Sequence, residues 1–241
     1  MKCLILAAGF GSRLRSVSPS KPLTPVAGTP MIEHIMRRAS LGGATSFVVV
    51  TGHEADRLEA ALPAIGERLG VAIETVRTGD WEKPNGHSVL SGADAIDGDY
   101  LLMMSDHLFD PRIVARVLAA PRRTLTLAVD TLLEGPLLDV EDTTKVDTGP
   151  DGAILRIGKT LERYNRVDTG VFLATPALAV AIREAIAEGK QGSLSDGVQR
   201  LADRGNAWTT DITGLRWLDV DEPRFHEMAE ILAGDDALRD I

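Results

Sequence analysis

The sequence is poor in cysteine and in long apolar runs. Cys3 is the only cysteine among 241 residues, so neither an intrachain disulfide nor a cysteine-based zinc site can form. A reducing cytoplasm is therefore the expected setting. No apolar run approaches the roughly 20 residues that cross a bilayer, and residues 3–8 are too short for the apolar core of a signal peptide. We predict a cytoplasmic protein without membrane insertion.

Basic residues are also fewer than acidic residues. The chain has 26 Lys and Arg against 35 Asp and Glu, a formal net charge of −9. Nucleic acids and anionic membranes bind basic surfaces, so neither is expected as the main partner. An anionic small ligand would instead need a local basic pocket. With hydrophobic residues at 44% the chain can bury a large core, and no repeat or linker divides it, so residues 1–241 are predicted to form one domain.

Apolar runs alternate with helical patterns along the first half of the chain. Predicted strands there cover residues 2–8, 45–52, 71–76 and 99–106, and predicted helices cover 30–42, 54–70, 87–96 and 111–120. This alternation is typical of parallel strands covered by helices on both faces. We predict a three-layer α/β/α, Rossmann-like, mixed but mostly parallel sheet, with residues 1–123 doubly wound. Residues 124–241 are richer in strands, including two runs joined by a GPDG turn, and should extend the same sheet.

The stretch LAAGFGSRLRSVSPSKPL, residues 6–23, combines two glycines with two cations. Gly9 and Gly11 allow close approach of the backbone, and Arg13 and Lys21 add positive charge, which indicates a polyphosphate ligand. A dinucleotide fingerprint would have a third glycine where Leu14 lies, and a Walker loop would need Gly-Lys-Ser/Thr, which is absent. The structural alternative is a plain strand-to-helix turn with incidental basic residues.

This pattern resembles the signature of the sugar-nucleotide pyrophosphorylase and cytidylyltransferase superfamily. The resemblance implies that Arg13 reaches the β- and γ-phosphates of a nucleotide, and that Lys21 offsets charge on the α-phosphorus and the departing pyrophosphate. It also implies that the loop cradles the nucleotide through Leu6, Ala7, Ala8, Gly9 and Gly11.

A second informative stretch is EKPNGHSVLSG, residues 82–92. Asn85 and Gly86 predict a tight turn into a helix whose first turn holds His87 and Ser88, where a base edge could be read. Taken alone, Asn-Gly is usually just a turn. The superfamily resemblance implies base and ribose contacts here, from Asn85, Gly86 and Ser88, and at the end of the preceding strand, at Gly52.

Acidic residues follow two predicted extended segments. Asp106 ends the apolar strand of DYLLMMSD, and Asp219 and Asp221 lie in RWLDVD. Nucleotide-bound Mg²⁺ takes one or two protein carboxylates, so we predict a magnesium site made by Asp106 with one of the other two. The alternative is that an acid of the second segment caps the helix that follows it.

The predicted acceptor side draws on several segments. Lys145 and Lys159 lie near strand ends, and Asp168 and Thr169 lie in RVDTGVF. A lysine at a strand end is often merely solvated, which is the alternative for Lys145. The resemblance implies that Lys159 binds the phosphate of an incoming phosphomonoester and that the Asp168 region binds its hydroxyls. His107, beside Asp106, is predicted to contact the substrate or to pack.

Over residues 2–231 the motifs are similar to one branch of the superfamily, the inositol-1-phosphate cytidylyltransferase domain. The shared elements are NGxS, SDH, IGK and VDTG in this order, with His87 in place of a tyrosine. The resemblance implies transfer of CMP from CTP to inositol 1-phosphate, giving CDP-inositol and pyrophosphate. Residues 1–123 would then bind the nucleotide and residues 124–241 the acceptor. In that family the domain is often fused to a membrane phosphotransferase, so a separate CDP-alcohol phosphotransferase is the expected consumer of the product.

Several alternatives stay open at the level of sequence. The acceptor could be a sugar 1-phosphate, a phosphonate or phosphocholine, although a choline cage needs aromatic rings and these make up only 4% of the chain. UTP or GTP could replace CTP. Outside catalysis, the alternatives are an inactive nucleotide-binding regulatory domain and an interaction domain. Monomer and homodimer are both compatible with the sequence.

Overall fold

The computed structural model describes residues 1–234, which form thirteen β-strands and seven α-helices. The strands are β1 (Lys2–Ala7), β2 (Pro25–Val26), β3 (Thr29–Pro30), β4 (Ser46–Thr51), β5 (Ala72–Arg77), β6 (Tyr100–Met104), β7 (His107–Phe109), β8 (Leu125–Asp130), β9 (Lys145–Thr148), β10 (Ile154–Gly158), β11 (Arg166–Ala174), β12 (Trp208–Asp211) and β13 (Trp217–Asp219). The helices are α1 (Met31–Gly42), α2 (Ala55–Leu69), α3 (Gly86–Ala93), α4 (Pro111–Ala119), α5 (Ala177–Ala187), α6 (Leu194–Asp203) and α7 (Pro223–Gly234).

Nine of the strands form one mixed sheet. Its main path runs β10-β9-β11-β6-β1-β4-β5, while β8 pairs with β11 and with β12. Strands β6, β1, β4 and β5 are parallel, and Ile5 in the centre lies between Val49 and Met103. Strand β11 joins β6 in the antiparallel sense and so attaches the second half of the chain to the first. The predicted fold class is confirmed.

Alternating side chains of β1 enter two separate apolar cores. Cys3 and Ile5 pack with residues of α1, α2, α4 and α7 on one face of the sheet. Leu4 and Leu6 pack with residues of α3, α5 and α6 on the other. This period of two explains why the run CLILA after Lys2 is apolar throughout, since both faces of the strand are covered. Within the described residues, no helix combines the length and apolarity needed to span a bilayer.

The short pair β7–β13 completes the architecture around the carboxyl ends of the parallel strands. It is antiparallel, with Asp219 opposite His107, and the backbone N–H of Val220 donates to the carbonyl of Asp106 at 2.9 Å. Two segments more than a hundred residues apart therefore meet beside the end of β6. This edge of a parallel sheet is where ligands of open α/β folds bind.

Candidate active site

The glycine loop after β1 folds over a lysine. Gly11 has a φ of +61°, and a Cβ built there would lie 2.6 Å from the Cβ of Lys21. A side chain at this position would therefore be strained and would push the lysine away. At Gly9, by contrast, a Cβ would meet nothing within 4 Å, so the space above the loop is open. Single 3₁₀ turns at Ser12–Leu14 and Lys21–Leu23 hold the two ends of the loop.

A cleft of about 380 Å³ opens above this loop and the end of β6. Of the residues predicted for the nucleotide, phosphates and metal, those lining it are Leu6, Ala7, Ala8, Gly9, Gly11, Arg13, Lys21, Asn85, Ser88, Asp106 and Asp221. A second cavity of about 240 Å³ adjoins it and shares some of this lining. The predicted residues that line only the second cavity are His107, Lys159, Asp168 and Asp219. Most of the predicted donor and acceptor residues therefore line two contiguous cavities.

Lys21 is the buried cation of the cleft. Its Nζ donates to Oδ2 of Asp106 at 2.6 Å, and only 13% of its side chain is exposed. Burial lowers the pKa of Lys21, but the negative charges of Asp106 and Asp219 outweigh that effect and raise it. For Asp106, burial raises the pKa, and the charge of Lys21 brings it below its usual value. Both groups are therefore charged at neutral pH.

His107 lies between two carboxylates. Its Nδ1–H donates to the carbonyl of Thr169 at 2.9 Å, and its Nε2 lies 3.4 Å from Oδ2 of Asp219 and 3.7 Å from Oδ1 of Asp106. Burial lowers the pKa of His107, yet the charge of Asp219, with a smaller contribution from Asp106, raises it to about 10. The imidazole is therefore a cation that separates the two acids. The indole of Trp217 stacks on it with 6.0 Å between ring centroids.

Asp106 and Asp219, on either side of His107, form a candidate cation site. One ligand atom each from Asp106, His107 and Asp219 lies within 4.8 Å of the others. Oδ1 of Asp219 is buried and has no hydrogen-bond partner among the described residues. A buried carboxylate oxygen without a donor suits a hard cation, since Mg²⁺ prefers oxygen ligands. Asp221 is adjacent, and burial together with the charge of Asp219 raises its pKa to about 7.

Arg13 and Lys159 are joined by an acidic residue that the sequence did not single out. Nη2 of Arg13 lies 2.8 Å from Asp142 and 2.9 Å from Asp221, and Nζ of Lys159 donates to Asp142 at 2.6 Å. Asp142 lies in the connection between β8 and β9, in the run EDTTK. Nothing in that run distinguishes it from an ordinary solvated acid, so no pattern could have identified it.

Two predicted glycines do not line either cavity. A Cβ at Gly52 would lie 2.5 Å from the Cβ of Trp81 and 2.8 Å from the carbonyl oxygen of Ala8, so this glycine packs directly against the glycine loop. A Cβ at Gly86 would overlap the backbone carbonyl of Gly192 at the start of the turn into α6. Close packing of backbone, rather than an opening for a ligand, accounts for glycine at both positions.

Two predicted acceptor residues likewise line neither cavity. Thr169 is fully buried, and its hydroxyl donates to the carbonyl of Ala128 at 2.9 Å. Lys145 donates from Nζ to the carbonyl of Lys159 at 3.0 Å. The side chain of Thr169 thus holds β11 against β8, and Lys145 supports the segment that carries Lys159.

An aromatic cluster at the rim of the cleft was not predicted. The rings of Phe10 and His53 lie 4.6 Å apart, and those of His53 and Trp81 lie 5.2 Å apart. The guanidinium of Arg15 sits 4.4 Å over the ring of Phe10. Of these residues only Trp81 lines the cleft itself. The three rings come from three different loops, so only the folded chain brings them together.

The chain belongs to the family of the MobA-like NTP transferase domain, which it matches over residues 3–138. It is therefore a nucleotidyltransferase. Its residues are 33% identical, over 229 positions, to a bifunctional IPC transferase and DIPP synthase of Rubrobacter xylanophilus, covering 94% of this chain and 50% of that protein. They are 32% identical to a CMP-5'-(3-aminopropyl)phosphonate synthase of Streptomyces rubellomurinus, covering 95% of this chain and 38% of the relative. The chain spans about half the length, or less, of these curated relatives.

Solved structures share the fold over 97% of the chain. The inositol-1-phosphate CTP transferase from T. maritima superposes with a TM-score of 0.84 at 25% identity, covering 97% of this chain and 96% of that one. A UDP-glucose pyrophosphorylase complexed with UDP-glucose superposes with a TM-score of 0.79 at 20% identity, covering 97% and 98%. The second likeness concerns the fold alone. The resemblance to nucleotidyltransferases drawn from the motifs is confirmed.

Proposed function

We propose that the protein transfers CMP from CTP to inositol 1-phosphate. A phosphate oxygen of the acceptor attacks the α-phosphorus, the bond from that phosphorus to the oxygen bridging to the β-phosphorus breaks, and pyrophosphate leaves. The observation that carries the proposal is the convergence of Arg13 and Lys21, from the amino-terminal loop, with Asp106, Asp219 and Asp221 around two adjoining cavities. The relatives named for inositol-phosphate and CTP chemistry support the choice of substrates.

The reaction needs no protein base. A phosphomonoester has a second pKa near 6 and is largely dianionic at neutral pH, so its oxygen is already a nucleophile. The obstacle is the approach of two polyanions, which countercharges and positioning remove. In this proposal Lys21 neutralises charge at the α-phosphate of CTP. Arg13 binds the β- and γ-phosphates, and Lys159 binds the phosphate of the acceptor.

Asp106 and Asp219 are the residues we propose for a magnesium ion, with Asp221 beside them. The unpartnered buried oxygen of Asp219 fits this role. When bound, the ion supplies charge neutralisation on the triphosphate. His107 keeps its Nδ1–H on the carbonyl of Thr169, which fixes the ring between the two acids. Its role is to hold the carboxylates in place rather than to serve as a hard ligand.

Asp168 is the residue we propose for recognition of the acceptor hydroxyls. It lines the second cavity together with Lys159, and its Oδ1 accepts from the backbone N–H of Gly170 at 2.7 Å. Burial raises the pKa of Asp168 to about 6, which leaves it mostly ionised at neutral pH. A carboxylate accepts hydrogen bonds from vicinal hydroxyls and repels a second acid, so it favours a neutral polyol carrying one phosphate.

A second candidate acceptor is an aminoalkyl phosphonate. The Streptomyces relative is named for a CMP-phosphonate product and matches 95% of this chain, so the same donor with a phosphonate acceptor is the closest rival. In that case Asp168 would pair with an ammonium group. A catalytically inactive regulatory domain is disfavoured, because the cations and carboxylates that nucleotidyl transfer requires all line the cavities. Use of the product by a separate membrane CDP-alcohol phosphotransferase stays a prediction.

A pyrophosphate-release matrix tests the proposal. CTP, UTP, GTP and ATP are each combined with inositol 1-phosphate, glucose 1-phosphate, phosphocholine and 3-aminopropylphosphonate, with and without Mg²⁺. The expected result is release that requires CTP, inositol 1-phosphate and Mg²⁺ together. Faster release with 3-aminopropylphosphonate would show that the acceptor is a phosphonate and not inositol 1-phosphate. No release with any pair of substrates would refute catalysis.

A further inference from the structure

The carboxylate of Asp142 joins two cations that we assign to different substrates. Its Oδ2 accepts from Nη2 of Arg13 at 2.8 Å, and its Oδ1 accepts from Nζ of Lys159 at 2.6 Å. Arg13 lines both cavities, whereas Lys159 lines only the second. One side chain therefore spans the boundary between the proposed triphosphate and acceptor sites.

Neighbouring contacts present Asp142 to both cations. Oδ1 of Asp139 accepts from the backbone N–H groups of Glu141 and Asp142, at 3.1 and 3.3 Å. Oδ2 of Asp139 pairs with Arg224 of α7 at 3.0 Å, which ties this turn to the body of the protein. The turn is therefore built on protein contacts that do not involve either cation, and its Asp142 lines the second cavity.

A substrate phosphate and Asp142 compete for the same donors. Burial raises the pKa of Asp142, but its bonds to Lys159 and Arg13 outweigh that effect and hold the pKa far below its usual range. The carboxylate is therefore an anion whenever a substrate arrives. Each of its two oxygens pairs with one of the two cations, and a substrate phosphate oxygen competes with it for the charge of that cation. A substrate phosphate that takes the place of the carboxylate beside either cation therefore breaks an ion pair made by this one residue.

We propose that Asp142 couples the two substrate sites, because its carboxylate occupies the positions beside Arg13 and Lys159 that the substrate phosphates would take. The substrate that binds first displaces the carboxylate from both cations, so the second substrate meets a cation that no longer pairs with Asp142. Each substrate should thus bind more tightly in the presence of the other, by the same factor in both directions. This inference rests on the proposed roles of Arg13 and Lys159.

The test measures that factor by titration calorimetry on the full chain in Mg²⁺. The ligands are α,β-methylene-CTP, whose α–β linkage resists cleavage, and inositol 1-phosphate, each alone and with the other saturating. In the wild type each ligand should lower the Kd of the other by about 5- to 150-fold, the usual range of coupling between sites. In Asp142→Asn each ligand alone should bind more tightly, and the factor should fall to about 1. Glu141→Gln, with the same charge change on the same turn, should keep the wild-type factor.

Three outcomes would overturn the inference. An unchanged coupling factor in Asp142→Asn would show that Asp142 does not couple the two sites. Weaker binding of both ligands to this variant would show that Asp142 only supports the structure of the two sites. A loss of coupling in Glu141→Gln as well would assign the effect to general charge. Asp142→Ala is used in place of Asp142→Asn if thermal unfolding shows that Asp142→Asn does not fold.

If the wild-type protein binds the nucleotide but not inositol 1-phosphate, the proposed acceptor is wrong. The titration is then run with the acceptor that the pyrophosphate matrix selects, and its coupling factor decides on Asp142.

Discussion

Nζ of Lys21 lies 2.6 Å from Oδ2 of Asp106, although the two residues are 85 positions apart in the chain. The stem of the lysine is held beneath Gly11, and the carboxylate follows the central strand β6. These two charged groups of the cleft are thus paired with each other. A metal–nucleotide complex offers each of them a new partner of the opposite sign, because the phosphates attract the lysine and the metal attracts the carboxylate.

Lys21→Ala should lower kcat for pyrophosphate release by about 10²- to 10³-fold, the usual cost of removing one preorganised charge-stabilising donor. The reason is that Lys21 is buried beside the position proposed for the α-phosphate, where water cannot replace its charge. Pyrophosphate release under saturating CTP measures the effect. Lys190→Ala, at an exposed lysine that lines neither cavity, serves as the control and should keep the wild-type rate. A near-normal rate for Lys21→Ala would contradict the role of the glycine loop.

Asp219→Asn should raise the Mg²⁺ concentration for half-maximal activity by about 10-fold or more, since perturbing a metal site typically weakens binding 10- to 100-fold. The amide keeps the volume but offers one neutral oxygen in place of a charged pair. Direct binding of Mn²⁺, followed by electron paramagnetic resonance without substrates, should weaken in parallel.

The control for the metal site is Asp99→Asn, which removes a partly buried carboxylate that lines neither cavity and pairs with Arg122 at 2.6 Å. It should leave both the Mg²⁺ response and Mn²⁺ binding unchanged. If Asp219→Asn behaved like this control in both measurements, the carboxylate group around His107 would not be the metal site.

Asp168→Ala should raise KM for inositol 1-phosphate by about 10- to 100-fold, as expected for loss of hydrogen bonds to a charged group worth about 1.5–3 kcal/mol. KM for CTP should change little, because Asp168 lines only the second cavity. Steady-state kinetics with each substrate varied in turn separates the two constants. Asp147→Ala, a carboxylate of β9 outside both cavities, is the matched control. Equal changes in the two KM values would argue against an acceptor-specific role.

Much of the fold was predictable because its signals are local. The apolar run of β1 and the alternation of strands with helices identify a parallel sheet, and strand ends then identify one edge as the ligand edge. Arg13, Lys21 and Asp106 follow from this reasoning, since each lies just after a predicted strand or in the loop that it leads into. The structure brings their side chains to one cleft.

What could not be predicted depends on contacts between distant segments. Asp142 acquires two cationic partners only when the β8–β9 connection lies across the cavities. The pairing of β7 with β13, which sets Asp219 opposite His107, involves only three residues of each strand. The sequence correctly predicts a turn at Gly86. The reason for glycine there, however, is the backbone carbonyl of Gly192, more than a hundred positions away, which leaves no room for a side chain. Residue type alone carries no trace of such a neighbour.

The last prediction concerns stability rather than catalysis. Glu33 of α1 is 4% exposed, and its Oε2 accepts from Nη2 of Arg68 of α2 at 2.7 Å. The hydrogen bond from Arg68 holds the pKa of Glu33 below its ordinary value of 4.5. Because the folded-state pKa is depressed, this pair stabilises the protein above about pH 4.5, and the contribution is lost as the pH falls through the folded-state value.

Glu33→Gln should therefore lower the free energy of unfolding at pH 7 by about 1 kcal/mol, less than the roughly 1.5–3 kcal/mol of a charged hydrogen bond because Arg68 is half exposed and screened by solvent. The difference from wild type should shrink as the pH is lowered below about 4.5, where Glu33 becomes protonated first in the unfolded and then in the folded state. Urea unfolding at a series of pH values measures it. Glu74→Gln, at an exposed position of β5, controls for the loss of one negative charge. A deficit that stayed constant down to pH 3 would mean that the side chain stabilises α1 through packing and not through its charge.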